Sequence, residues 1–111
     1  MEFLNIPNIH AVRESYNKAV KAALGEDSRF YINLAESEWY DYVFLIIEGA
    51  IHVAKSLYQG KNVLVHCSDG WDRTSQLCAL AQILLDPYYR TIVGFQNLID
   101  KDWVRFGHQF A

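Results

Sequence analysis

The chain has 111 residues, a mass of 12.8 kDa and a hydrophobic fraction of 51%, which predicts one packed domain or part of one. Its aromatic fraction of 14% excludes a disordered segment. The 10 basic and 13 acidic residues give a net charge of −3, so we expect no nucleic-acid partner and no electropositive membrane platform. Two cysteines, Cys67 and Cys78, are too few for a disulfide scaffold, and they favour a reducing, intracellular environment. No secretory signal or membrane-spanning segment is expected.

The first half of the chain is predicted to hold one short strand and two helices. Residues 3–6 form an apolar run closed by a proline, which predicts a strand. Apolar residues recur every three or four positions over residues 9–24, which predicts a helix that ends at the following glycine. Residues 26–34 are predicted as a loop. A second helix is predicted over residues 38–57, with Ser37 as its cap.

The second half is predicted to hold another strand and two further helices. Residues 63–66 are a β-branched run typical of a buried parallel strand, and residues 67–72 are predicted as a loop. Helices are predicted over residues 73–85 and 91–103. Strands that alternate with helices indicate an α/β fold, with short parallel strands and flanking helices. Because two strands do not form a stable sheet alone, residues 1–111 are interpreted as a single partial domain.

The loop after the second predicted strand carries the chemistry, because it has a Cys-x5-Arg pattern at residues 67–73. A strand-to-helix turn exposes backbone N–H groups at the positive end of a helix dipole, which together form an anion cradle. Cys67 lies at its base, where the pKa of a thiol can fall to about 3.5–7.5. Gly70 lets the loop bend, Arg73 can hold two phosphate oxygens, and Thr74 can donate to the sulfur. This pattern indicates phosphomonoester hydrolysis through phosphocysteine.

Two carboxyl groups in the loop compete for the role of general acid. A carboxyl group beside a bound phosphate dianion is favoured in its protonated form, and it can then protonate a leaving alkoxide. Asp72 is the preferred candidate, and Asp69 is its rival. The alternative interpretation is a structural turn around a small core cysteine, but two acids with no structural partner disfavour it.

The same loop resembles the signature of the myotubularin family of phosphoinositide 3-phosphatases. Residues 67–74 read Cys-Ser-Asp-Gly-Trp-Asp-Arg-Thr and match that signature letter for letter. Ordinary protein tyrosine phosphatases carry Gly-x-Gly-Arg in this loop instead. Further residues that resemble family landmarks are spread over nearly the whole chain: Asn8, Ile9, His10, Arg13, Glu14, Ser15, Trp39, Gly49, Ala50, residues 88–92, Gly94, Phe95, Trp103, Phe106, Gly107 and His108.

The resemblance implies a fold, a substrate and a location. The fold would be the central part of a cysteine-phosphatase domain, similar to protein tyrosine phosphatases. The substrates would be phosphatidylinositol 3-phosphate and phosphatidylinositol 3,5-bisphosphate, hydrolysed at the 3-position without a metal or cofactor. The chain would bind its lipid substrate at a membrane surface. It would also form homodimers, or heterodimers with other family members. The location would be cytoplasmic and peripheral on endosomal-type membranes.

The resemblance also assigns roles to residues. Cys67 would be the nucleophile, Arg73 the phosphate clamp and Asp72 the acid, since the family lacks the separate acid loop of protein tyrosine phosphatases. Gln109 departs from the family, whose members usually carry Arg or Lys near the diester phosphate, so we expect weaker lipid binding. The substrate-binding residues would be Asn8, Ile9, Ser68, Asp69, Gly70, Trp71, Asp72, Arg73 and Gln109. A protein phosphatase and a non-catalytic lipid- or partner-binding fragment are the alternatives.

Overall fold

The structure is a computed structural model that describes residues 1–25 and 28–110. These residues form five α-helices and contain no β-strand. None of the helices found in them is both long enough and apolar enough to cross a bilayer. The chain divides into two units, residues 1–45 and residues 46–111. In chain order the elements are α1 (Ile9–Leu24), α2 (Phe30–Glu36), α3 (Trp39–Tyr58), α4 (Arg73–Leu85), a 3₁₀-helical turn (Pro87–Arg90), α5 (Ile92–Ile99) and a π-helical turn (Asp100–Val104).

The first unit packs α1 against α2. Asn8 caps α1, because its side-chain oxygen accepts from two backbone N–H groups of the first turn, each at 3.1 Å. The buried hydroxyl of Ser15 donates to the carbonyl oxygen of Ser37 at 2.6 Å, which ties the middle of α1 to the end of α2. The rings of Tyr16 and Trp39 meet edge-on with centroids 5.2 Å apart. Polar and aromatic contacts therefore help to hold this unit together.

The second unit is built around small and β-branched residues. Val53 and Ala54 of α3 form a buried cluster with Ala81 of α4, and Val63 and Val65 pack against this cluster from the connecting segment. Small residues such as these let the helix and the extended chain approach closely. The connection that ends at Cys67 is thereby held in place on its apolar side.

The prediction of an α/β fold with short parallel strands is wrong for the described residues. Residues 63–66 are extended, and their burial alternates as in a strand: Val63 and Val65 are half-buried, whereas Leu64 is 88% exposed. A strand, however, is defined by hydrogen bonds to a neighbouring strand. The described part of the chain supplies no such neighbour, and residues 3–6 are also irregular. The prediction of a buried parallel strand is therefore wrong here, because only Val63 and Val65 are partly buried and the described residues contain no strand pairing.

Three of the four predicted helices agree with the structure. The fourth is only partly regular, and one predicted loop is partly helical. The helices predicted over residues 9–24, 38–57 and 73–85 correspond to α1, α3 and α4. The loop predicted over residues 26–34 is wrong from Phe30 onward, where α2 begins without a side-chain cap that would mark its start; residues 26 and 27 lie outside the described residues. The helix predicted over residues 91–103 is regular only to Ile99 and continues as the π-helical turn.

Gly94 in α5 occupies a position where no side chain fits. It is buried, and a methyl group built on it would overlap the carbonyl oxygen of Tyr88. We expect Gly94→Ala to lower the free energy of unfolding by about 1–3 kcal/mol through this overlap, although alanine is the better helix former. Urea unfolding measures the change. Gln96→Ala on the exposed part of α5 is the control, with an expected change under about 0.5 kcal/mol. Equal midpoints for the two variants would contradict the overlap.

Candidate active site

The loop formed by residues 67–72 joins the extended segment to the N-terminus of α4. Gly70 has a φ of +82°, in the left-handed region that favours glycine, and this lets the chain turn back over Cys67. Asp72 precedes α4 with φ −115° and ψ −90° and makes no side-chain capping hydrogen bond. The first-turn N–H groups of α4 and the positive end of its dipole therefore lie beside the loop.

The sulfur of Cys67 is surrounded by hydrogen-bond donors. The N–H of Gly70 and the hydroxyl of Thr74 each lie 3.2 Å from Sγ, so the predicted contact of Thr74 with the sulfur is present. Burial by itself raises the pKa of the thiol. Hydrogen bonds from the Thr74 hydroxyl and from the backbone N–H groups of Thr74, Gly70 and Asp69 outweigh burial and lower the pKa of Cys67 to about 6. At neutral pH the thiolate is therefore the main form.

Arg73 reaches back across the loop from the first position of α4. Its Nη2 donates to the hydroxyl oxygen of Ser68 at 3.0 Å. Its Nε is buried and has no hydrogen-bond partner in the described part of the chain. A buried donor without an acceptor costs about 1–3 kcal/mol, so this nitrogen is suited to an acceptor from a bound ligand. A phosphate oxygen fits the requirement, because guanidinium groups bind oxyanions through several donors at once.

The two candidate acids differ in their surroundings. Asp69 is exposed, and one of its carboxylate oxygens lies 3.4 Å from the Ser68 hydroxyl. Asp72 is half-buried, and its carboxylate is not used to cap the helix that follows. Partial burial with no capping role suits a group that exchanges a proton with substrate. The preference for Asp72 over Asp69 as the acid stays a prediction.

Ser75 and His108 contact the loop, but the sequence did not predict either of them as a site residue. Both reach the carbonyl oxygen of Trp71: the Ser75 hydroxyl lies 3.1 Å from it, and Nδ1 of His108 lies 2.9 Å from it. His108 stood out only as a family landmark. Gly107 could have indicated a role for His108, because a glycine after a helical pattern marks a turn that sets the position of the next residue.

The remaining predicted site residues lie elsewhere in the chain. Gln109 is exposed, and its side-chain N–H donates to the carbonyl oxygen of Gly107 at 2.9 Å. Asn8 and Ile9 belong to the first unit, where Asn8 caps α1 and Ile9 is 38% exposed. Substrate contacts by these three residues stay predictions.

The low pKa of Cys67 predicts that iodoacetamide alkylates Cys67 faster than Cys78. Because only the thiolate reacts with iodoacetamide, the alkylation rate of Cys67 should rise with pH through a midpoint near its pKa of about 6. Burial, followed by the nearby Asp102 carboxylate, raises the pKa of Cys78, so Cys78 should react more slowly. Mass spectrometry of labelled peptides measures both rates. Thr74→Val, which removes the hydroxyl donor, should shift the Cys67 midpoint to higher pH. Equal labelling of both cysteines at pH 6 would contradict the expectation.

A thiol ringed by N–H and hydroxyl donors, with an arginine across the loop, is the arrangement of Cys-x5-Arg phosphatase loops. A protein-family profile described as Myotubularin-like phosphatase domain matches residues 1–111. The chain therefore belongs to the myotubularin family, which confirms the resemblance found in the signature loop.

Individual relatives agree with the family match. Myotubularin from Xenopus laevis is 48% identical over 112 residues, covering 98% of this chain and 19% of that protein. The phosphatidylinositol-3,5-bisphosphate 3-phosphatase MTMR4 from Mus musculus is 47% identical, covering 98% of this chain and 9% of that protein. The phosphatidylinositol-3-phosphate phosphatase MTMR7 from Mus musculus is 46% identical, with 98% and 17% covered. The chain thus spans less than a fifth of these relatives.

Proposed function

We propose that this chain is the phosphatase-loop segment of a phosphoinositide 3-phosphatase that acts through a phosphocysteine intermediate. The observation that carries the proposal is the environment of Cys67, whose sulfur accepts from Gly70 and Thr74 at 3.2 Å and whose pKa is about 6. The names of MTMR4 and MTMR7 supply the substrate class, namely phosphatidylinositol 3,5-bisphosphate and phosphatidylinositol 3-phosphate.

The first half-reaction transfers the phosphoryl group to sulfur. The Cys67 thiolate attacks phosphorus, so that a sulfur–phosphorus bond forms while the bond from phosphorus to the 3-oxygen of inositol breaks. The protonated carboxyl group of Asp72 donates its proton to the departing oxygen. The guanidinium of Arg73 and the loop N–H groups bind the non-bridging phosphate oxygens and stabilise their charge.

The second half-reaction releases inorganic phosphate. A water molecule attacks the phosphorus of phosphocysteine and loses a proton to the Asp72 carboxylate, while the sulfur–phosphorus bond breaks. The Thr74 hydroxyl donates to the departing thiolate, as its position 3.2 Å from Sγ allows. Cys67 and Asp72 return to their starting protonation states, which closes the cycle.

The substrate class also sets where the protein would work. The substrates are membrane lipids, so we propose a cytoplasmic protein that binds peripherally to endosomal-type membranes. Homo- or heterodimers with family members belong to the same proposal.

Phosphate release from a lipid panel tests the proposed function. The purified chain should release phosphate from phosphatidylinositol 3-phosphate and phosphatidylinositol 3,5-bisphosphate. It should not release phosphate from phosphatidylinositol 4-phosphate or 5-phosphate, and Cys67→Ser is the blank. Faster turnover of a phosphotyrosine peptide would instead support a protein phosphatase. Lipid binding with no turnover of any substrate would support the non-catalytic alternative.

Gln109→Arg should improve lipid affinity, because family members usually carry a cation at this position. A hydrogen bond to a charged group contributes about 1 kcal/mol more than a neutral one, which is close to fivefold in affinity. The diester phosphate does not change in the transition state, so we expect KM to fall severalfold and kcat to stay constant. Steady-state kinetics at two salt concentrations measure this, since salt should reduce the gain. A headgroup analogue without the diester phosphate is the control. An unchanged KM for the lipid would show that residue 109 does not contact this phosphate.

A further inference from the structure

The peptide group between Trp71 and Asp72 is held by two side chains from outside the loop. Its carbonyl oxygen lies 3.1 Å from the hydroxyl of Ser75, in the first turn of α4, and 2.9 Å from Nδ1 of His108. Because a carbonyl oxygen can only accept, Nδ1 of His108 carries the proton in this contact. Two donors from different parts of the second unit therefore converge on one oxygen.

The direction of this carbonyl determines the direction of the next N–H. A trans peptide is planar, so the carbonyl of Trp71 and the N–H of Asp72 point to opposite sides. The N–H of Gly70 lies 3.2 Å from the sulfur of Cys67, and the N–H groups of Asp69 and Thr74 also lower the pKa of this thiol. The N–H of Asp72 belongs to the same loop, and its direction is set wherever the Trp71 carbonyl is held.

His108 is itself held firmly by the end of the last helix. The N–H of His108 donates to the Trp103 carbonyl at 3.1 Å, and the N–H of Gly107 donates to the Val104 carbonyl at 3.0 Å. Gly107 has a φ of +81°, which completes a Schellman-type helix end. The imidazole packs edge-on between two rings, those of Trp103 at 4.8 Å and Phe110 at 4.7 Å. The imidazole is therefore oriented before it meets the loop.

We propose that His108 is a positioning residue, which holds the Trp71–Asp72 peptide so that the Asp72 N–H faces the substrate phosphate. This inference rests on the proposed function and extends it beyond the signature loop. His108 does not touch the reacting atoms; it acts through the Trp71 carbonyl. The π-helical turn and the Gly107 turn thereby become part of the phosphate site, although they lie more than 25 residues after Arg73 in the sequence.

Two substitutions separate the hydrogen bond from the packing of the ring. His108→Phe keeps an aromatic ring between Trp103 and Phe110 but has no donor, whereas His108→Asn keeps a donor close to the position of Nδ1. Tungstate, a phosphate mimic, reports on the cradle by calorimetry. We expect His108→Phe to raise the Kd for tungstate and to lower kcat/KM about tenfold, and His108→Asn to recover most of the loss.

The alkylation midpoint of Cys67 distinguishes positioning from general support. The donors to Sγ are Asp69, Gly70 and Thr74, so His108→Phe should leave the midpoint at about 6. His52→Phe on the exposed part of α3 is the control for the added phenyl group and should leave the tungstate Kd unchanged. If His108→Phe folds poorly, Ser75→Ala removes the other donor to Trp71 and should weaken tungstate binding in the same direction.

Three results would overturn the proposal. One is an unchanged tungstate Kd in folded His108→Phe or in Ser75→Ala. The second is a loss that His108→Asn does not recover, and the third is a loss accompanied by a shifted Cys67 midpoint. If the unaltered chain hydrolyses no phosphoinositide, the proposed function fails, but tungstate binding by the same variants still decides the role of His108.

Discussion

Cys67→Ser is expected to reduce kcat by at least about 10⁴-fold, a loss of the size seen when a catalytic nucleophile is removed. A serine hydroxyl does not ionise near neutral pH, whereas the donors around Sγ lower the pKa of Cys67 to about 6. The Asp72 N–H and Arg73 are unaltered, so the variant should still bind tungstate. Phosphate release from phosphatidylinositol 3-phosphate, together with calorimetry, measures the two effects separately.

Cys78→Ser is the matched control, because Cys78 is half-buried in the middle of α4 and is not part of the loop. It should retain activity close to that of the unaltered chain. Residual turnover above about 1% in Cys67→Ser would argue against a covalent mechanism at this residue. Lost tungstate binding in Cys67→Ser would show instead that the substitution disorganised the loop.

Asp72→Asn should have the second largest effect, and its size should depend on the leaving group. Removing a general acid costs about 10²–10⁴-fold when the leaving oxygen is a poor one, as in inositol. The loss should be much smaller with p-nitrophenyl phosphate, because p-nitrophenolate departs without protonation. Comparing kcat on the two substrates measures the difference.

Asp69→Asn is the control for the second carboxylate in the loop. Asp69 is exposed and lies beside Ser68, so its substitution should affect the two substrates to a similar extent. If Asp72→Asn instead lowers kcat equally on both substrates, Asp72 has a structural role. A leaving-group dependence confined to Asp69→Asn would then assign the acid to Asp69.

The signature loop could be predicted because its key contacts are local. Gly70 and Thr74 lie three and seven residues after Cys67, and both reach its sulfur. Residue types alone predict a turn with a positive φ at Gly70 and a helix that begins at Arg73. The environment of the Cys67 sulfur thus follows from eight consecutive residues.

The rest of the site and the fold depend on partners that local patterns do not specify. Strand pairing at residues 63–66 requires a neighbouring strand, which a short β-branched run does not specify. His108 lies 37 residues from Trp71, and only the path of the chain brings them together. The change from α5 to a π-helical turn at Asp100 adds a residue to the turn without a distinctive residue type.

The contact of Arg73 with Ser68 has a consequence for the energetics of ligand entry. The Ser68 hydroxyl accepts from Nη2 at 3.0 Å, so the chain itself orients the guanidinium across the loop. An incoming oxyanion that takes this donor exchanges one hydrogen bond for a stronger, charge-assisted one. The gain in affinity is the difference between the two bonds, but little side-chain entropy is lost because the arginine is already ordered. Under the proposed function, Ser68 orients the guanidinium before the phosphate binds, which lowers the maximal affinity but preorganises the site.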